Sequence, residues 1–278
     1  MKLRTCAIAV LACSPFLNNA HATVLSTWSW TDTVSTISVA GKVVFSTQQD
    51  GGGYDLVIDL YNTSTVQPTS TAQLLTGLYF DISPSPGPLK MRSAIAPDGL
   101  LNDVNNPTVV DPLTLGANMC APFGAQLAPD PTDLPCVAPA SGGSAIDGGW
   151  QAAYQFPTGI GGGANANQHW GIGTSGQTGV FQGNHVNAFN YSIAGTIGVT
   201  GTQGGLTNEF LYAYGYGQFV LSGLSSEDIT ISNVSGAYGT APEGTPAAQL
   251  ESDTPEPATF TGIAGGLIAL ALTRLRRK

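Results

Sequence analysis

Apolar and polar residues alternate with a period of two along several short stretches of the chain. From Asp55 to Tyr61, Leu56, Ile58 and Leu60 alternate with Asp55 and Asp59, the pattern of a strand with one face in a core and the other in water. Ile37 to Phe45 and Gln73 to Ile82 carry the same branched and aromatic residues, and Gln48 to Gly53 reads as the turn joining the first two strands. Gly149 to Phe156, Ala188 to Ile193, Gly217 to Leu221 and Ile229 to Val234 follow, with Gly, Asn and Ser clusters between them. Seven or more short strands predict an all-β fold over residues 23–239: a single β-sandwich or jelly-roll-like domain with long Gly/Pro-rich loops. The glycine-rich stretch from Gly159 to Gly183, holding Asn165, Asn167, His169 and Trp170, reads as long surface loops. Thr240 to Thr254 is rich in Pro, Ala and acid and reads as a linker.

The two ends follow a different pattern. Lys2 and Arg4 precede a mostly small and apolar run from Cys6 to Leu17, and Ala20-His21-Ala22 has the small-x-small form that signal peptidase accepts. Residues 1–22 are therefore expected to be a signal peptide, with cleavage after Ala22 and a mature start at Thr23. Pro15 and the Asn18-Asn19 pair oppose a continuous helix there. Val10-Leu11-Ala12-Cys13 offers an alternative, since it resembles a lipobox with Cys13 as the acylated residue. Val10 stands where Leu is usual, and the apolar run before Cys13 is short for such a signal.

Composition sharpens the picture. With 36 Gly, 18 Pro and 10% charged residues, the chain disfavours long soluble helices and favours strands joined by turns. Six of the nine Lys and Arg lie at the ends, leaving Lys42, Lys90 and Arg92 in the body. Residues 23–255 hold 17 acidic against 3 basic side chains, a net of −14. That charge repels phosphate backbones, so nucleic-acid binding is excluded, while self-repulsion keeps an exported protein soluble.

Cysteine usage agrees with export. Cys6 and Cys13 fall in the leader, which leaves Cys120 and Cys136 in the body as a candidate disulfide. Residues 121–135 between them are Pro-, Ala- and Asp-rich, a loop that a cross-link would restrain.

The C-terminus carries the most specific signal. Pro255-Glu256-Pro257 forms a rigid, extended tripeptide around one carboxylate. Residues 258–273 are uncharged and mostly apolar, a little shorter than the roughly 20 residues of an average span, and are expected to form a transmembrane helix. Arg274, Arg276, Arg277 and Lys278 then hold the end in the cytoplasm and place residues 23–257 outside the membrane. Motif, apolar span and basic end, in this order over 255–278, resemble the PEP-CTERM sorting signal of Gram-negative bacteria. The resemblance implies processing near Pro-Glu-Pro by an exosortase, a membrane-embedded cysteine-type transpeptidase. It also implies transient anchoring in the inner membrane and a final place on the cell surface or in an extracellular matrix, commonly with exopolysaccharide and biofilm. The segments LVIDLYNTST, LLTGLYFDIS, GWQAAYQF, GQFVLSGL and ITISNVSGAYGT of the body are also similar, in order and spacing, to one group of exosortase-dependent surface proteins, which brings no activity with it. Cys120, Cys136 and the proline-rich insert depart from that group.

No nucleophile elbow, paired zinc ligands, Walker loop or dinucleotide fingerprint is complete. Gly173-Thr174-Ser175-Gly176 falls one residue short of the hydrolase pattern. His169 and His185, 16 residues apart, match no compact metal spacing. Asp50-Gly51-Gly52-Gly53-Tyr54-Asp55 is a single imperfect copy of a calcium-type repeat and reads as a hairpin turn. Asp98, Asp103 and Asp111, with Asn102, Asn105 and Asn106, offer oxygens suited to calcium but read first as turn formers. Tyr212, Tyr214 and Tyr216 would line one strand face; they, with Trp150, Tyr154 and Trp170, read as core aromatics, or as a sugar-stacking row if exposed and coplanar. The chain is thus expected to be a non-catalytic surface or matrix protein, without cofactor or metal, with exosortase and extracellular polysaccharide as partners. The alternative is a secreted carbohydrate-binding or calcium-stabilised adhesion module.

Overall fold

The computed structural model describes residues 22–34, 36–87, 89–101, 110–111, 115–120, 149–153, 168–174, 189–195, 198–199, 211–240 and 248–251. Its strands, in chain order, are β1 (Thr23–Val34), β2 (Ile37–Asp50), β3 (Gly53–Asn62), β4 (Leu75–Ser83), β5 (Lys90–Ala96), β6 (Leu100–Leu101), β7 (Val110–Asp111), β8 (Ala117–Asn118), β9 (Trp150–Ala153), β10 (Trp170–Thr174), β11 (Tyr212–Ala213), β12 (Tyr216–Leu224), β13 (Thr230–Tyr238) and β14 (Gln249–Leu250). One 3-10 turn, Thr71–Gln73, precedes β4. The described residues are all-β apart from that turn, and their strand pairs are antiparallel.

The first sheet has seven strands in the order β14-β1-β2-β3-β12-β5-β8. The second runs β13-β4-β10-β9, and Ile193 joins the first residue of β4 to the small β11-β6-β7 sheet by bridging Leu75 and Ala213. Alternation explains the first sheet. Val43 and Phe45 of β2, Leu56, Ile58 and Leu60 of β3, and Phe219 and Leu221 of β12 are buried together, while Asp59 and Gln218 take the opposite face. The second sheet sends Leu78, Phe80 and Ile82 into the same core. Phe45 meets Phe80 edge-on at 5.1 Å between ring centroids, and Trp150 leans on Phe219 at 4.5 Å, so aromatic pairs join the two layers.

One inter-layer contact depends on glycine. Trp30 of β1 is buried, and its indole lies over Gly41 of β2 and also over Gly236 of β13, at the edge where the sheets approach. A methyl group at either glycine would overlap the ring. The β2–β3 hairpin closes as its sequence predicts: Asp50 pairs with Gly53 around Gly51 and Gly52, whose φ values of +58° and +134° suit glycine.

Several expectations need correction. Trp170–Thr174 lies inside the stretch read as surface loop, yet it is a buried interior strand. Its glycines mark close packing, since a Cβ on Gly171 would sit 2.6 Å from the Tyr79 ring. Phe189 to Tyr191 make a turn instead of a strand, and only Ile193 of that stretch joins a sheet. Tyr212, Tyr214 and Tyr216 do not share one strand, because Gly215, at φ +72°, bends the chain between β11 and β12. Residues 248–251 of the expected linker belong to the body: β14 pairs with β1, and Ala248 is buried.

Candidate functional site

The densest polar arrangement among the described residues lies on the outer face of the second sheet. β4 presents Asp81 there, and β13 pairs with it until a bulge between Ser232 and Ser235 inserts an extra residue. The bulge holds Asn233 at φ +49°, a conformation that asparagine tolerates, and turns its amide to donate to Asp81 Oδ2 at 2.6 Å. From the other side His169, just before β10, donates its backbone N–H to Asp81 Oδ1 at 2.9 Å, and its Nδ1 lies 2.9 Å from the same oxygen. Gln168 completes the cluster from beneath. Buried, it donates to Ser235 Oγ at 3.0 Å and to the Asn233 carbonyl, and accepts from the same serine at 3.2 Å.

This geometry fixes one imidazole nitrogen on a carboxylate and leaves the half-exposed ring turned to solvent. A hydrolase would need a hydroxyl or thiol on the second ring nitrogen. Among the described residues none is bonded there, and no group of three or more His, Cys, Asp or Glu gathers for a metal. What the cluster does physically is tie the start of β10 to the bulged edge of β13. Sequence reading placed His169 in a loop and missed Asp81, Asn233, Gln168 and Ser235. The partners are 88 and 152 residues from one another along the chain, and no local pattern marks them.

The outer face of the first sheet carries a second group. Tyr61 and Tyr216 stack at 4.8 Å with their planes 14° apart, next to the Gln218–Asp59 hydrogen bond of 2.9 Å. Burial, then the nearby carboxylates of Asp59 and Asp98, raise both phenols above the ordinary tyrosine range. The rings cover one another face to face and do not lie as a flat row on which sugars would stack. Trp150 and Tyr212 are core residues, as expected, and Trp170 is one too, against its place in the stretch read as surface loop; Tyr154 lies outside the described residues.

At the hairpin end of this face Arg92 of β5 donates to Asp50 and, at 2.8 Å, to the buried Asp55. The Asp50–Asp55 segment is thus a hairpin clasped by a guanidinium. Burial raises the Asp55 carboxyl, with Arg92 acting against it and Asp50 adding to it. Removing the guanidinium leaves two neighbouring carboxylates, one of them buried. Arg92→Met is expected to lose about 1–2 kcal/mol at pH 7, a value reduced for the half-exposed arginine. An acid with a raised folded-state pKa loses stability as pH rises through its titration, and the variant raises it further. The deficit should therefore shrink towards zero near pH 3, which thermal melts of both proteins across that range would check.

The remaining expected site residues are placed as follows. Cys120 is buried two residues after the end of β8, beside Trp150, and Cys136 lies outside the described residues. Ala22 is exposed and Thr23 opens β1, whereas Ala20 lies outside the described residues. Asp98 occupies the turn after β5; Asp103 and the Asp111 side chain are not described. Pro255, Glu256, Pro257, the expected helix 258–273, and Arg274, Arg276, Arg277 and Lys278 also lie outside the described residues. Among the described residues no helix is long and apolar enough to cross a membrane. Fold and site together define an antiparallel all-β body with a polar clip on one face. No family model, curated protein or solved structure matches the chain.

Proposed function

We propose that this is an exported, non-catalytic component of the cell surface or extracellular matrix: a β-sandwich body delivered by a cleaved leader, anchored briefly by its tail and released by an exosortase near Pro255-Glu256-Pro257. At its destination it associates with extracellular polysaccharide. One observation carries the reading. The two sheets are closed by residues between Thr23 and Glu251, and β14 lies against β1, so the leader junction and the tail junction share one sheet edge. This arrangement supports reading the expected targeting segments as appendages to a body that folds between them. The −14 charge of residues 23–255 further favours neutral or cationic glycans over acidic ones.

The carboxylate of Glu256 is the only charge within the proline-framed tripeptide and its most direct recognition handle. In cells carrying the sorting enzyme, Glu256→Gln is expected to accumulate as an unshortened, membrane-bound form, while the parent chain is shortened and leaves the membrane. Immunoblots of fractionated cells would show this, and equal release of both chains would overturn the proposal.

A further inference from the structure

The chain just before the tail is tied to the body. Ala248 donates its N–H to the Val234 carbonyl of β13 at 2.8 Å, and Leu250 and Gln249 pair with Trp28 and Ser29 of β1. Glu251 donates its N–H to the Thr27 carbonyl at 2.8 Å and pairs its carboxylate with Lys42 at 3.4 Å. The chain is thus held by both sheets as far as Glu251. Four residue steps separate Glu251 from Pro255 and seven separate it from Ala258, where the apolar segment begins. Fully extended, these cover at most about 14 Å and about 25 Å. Direction follows as well: β14 is antiparallel to β1, so the chain leaves Glu251 heading for the Thr23 end of that strand. Thr23 pairs with Thr47, and the Gly51–Gly52 turn and the close of β12 at Leu224, opposite Tyr54, lie at the same end.

We propose that, while the tail is anchored, the body stands on the outer surface of the bilayer with this Gly51–Gly52 end towards the lipid headgroups. The opposite end, with the β1–β2 turn at Thr36, the Tyr61–Tyr216 stack and Asp98, then faces away from the membrane. The inference rests on the reading of 255–278 as a membrane-anchored sorting tail. The exposed Asp50, Glu227 and Asp228 at the near end keep it seated at the headgroups and out of the hydrocarbon. The sheet is long enough to give the two ends different environments. Gln48 and Ser38, both exposed on β2, are ten residues apart, about 33 Å along the strand.

The test uses the full-length chain reconstituted without any sorting enzyme into phosphatidylcholine vesicles whose outer headgroups carry an energy-transfer acceptor. A donor fluorophore is attached through a non-canonical amino acid at position 48 or, separately, at position 38. Transfer from position 48 is expected to exceed transfer from position 38 by at least twofold. Equal transfer, or stronger transfer from position 38, in vesicle-bound protein overturns the orientation and leaves the anchoring reading standing. Protein that floats free of the vesicles, with no transfer from either label, overturns the anchoring reading and the orientation with it.

Discussion

Trp30→Ala is expected to cost about 3–5 kcal/mol of stability, the usual range for deleting a buried tryptophan, and to lower the Tm of this body by roughly 10 °C or more. The indole fills the edge between the two sheets and has glycine on both sides, Gly41 in its own sheet and Gly236 in the facing one. Gly236→Ala should by itself cost about 1–3 kcal/mol, since the added methyl overlaps a ring that the two layers confine. Both effects arise at one contact, so they should not add. In the Trp30→Ala background the Gly236→Ala change is expected to cost almost nothing, because the space it needs is then open. Denaturant melts of the two single variants and the double variant would measure the coupling. Additive losses would mean that Trp30 and Gly236 stabilise the fold independently.

The second large effect concerns the cysteines. A bridge between Cys120 and Cys136 would close a loop of about 15 residues and restrain the unfolded chain by about 3 kcal/mol. Its formation is expected if the chain is exported as proposed, since compartments outside the cytoplasm are oxidising. Protein collected from outside the cytoplasm should weigh two mass units less than its reduced form, about 2 Da for the two hydrogens lost. Reduction, or Cys136→Ser, should then lower the Tm by roughly 6–12 °C. Cys120 lies two residues past the β8 edge of the first sheet, beside Trp150, so the bridge would fasten the intervening residues to the core wall. A melt unmoved by reductant would remove the bridge from the account.

Legibility in the sequence varied with the physics of each element. β3 was readable because Asp55 and Asp59 mark a wet face against Leu56, Ile58 and Leu60, and β4 because its apolar run is long. β1 was not. Its outward positions are Thr27, Ser29, Thr31 and Thr33, and such a row beside an expected cleavage site looks like linker until Trp28 and Trp30 are seen facing the core. β10 was hidden by its own glycines, which usually mean loop but here make room for Tyr79. The short strands from β6 to β8 and at β11 pair only two residues each, too few for any periodicity to register.

The polar sites were less legible still, for a related reason. The hairpin at Gly51–Gly52 is local chemistry and was read correctly, but Arg92, which clasps it, arrives from 42 and 37 residues away. Asp81, His169 and Asn233 meet only because a bulge reorients one strand edge. Such encounters are set by sheet order, which no single stretch of sequence encodes. The end segments are the reverse case: their meaning lies in the linear order of charge, apolar length and proline, so it is carried by the sequence itself.

The export and sorting reading is tested most directly by the intact mass of the protein recovered from cultures with and without the sorting enzyme. With the enzyme, the mature chain should begin at Thr23 and end near Pro255-Glu256-Pro257, lacking the apolar segment; without it, the same start should accompany an uncut tail. Recovery of the whole polypeptide from the cytosol, unprocessed at both ends in both cultures, would contradict the account.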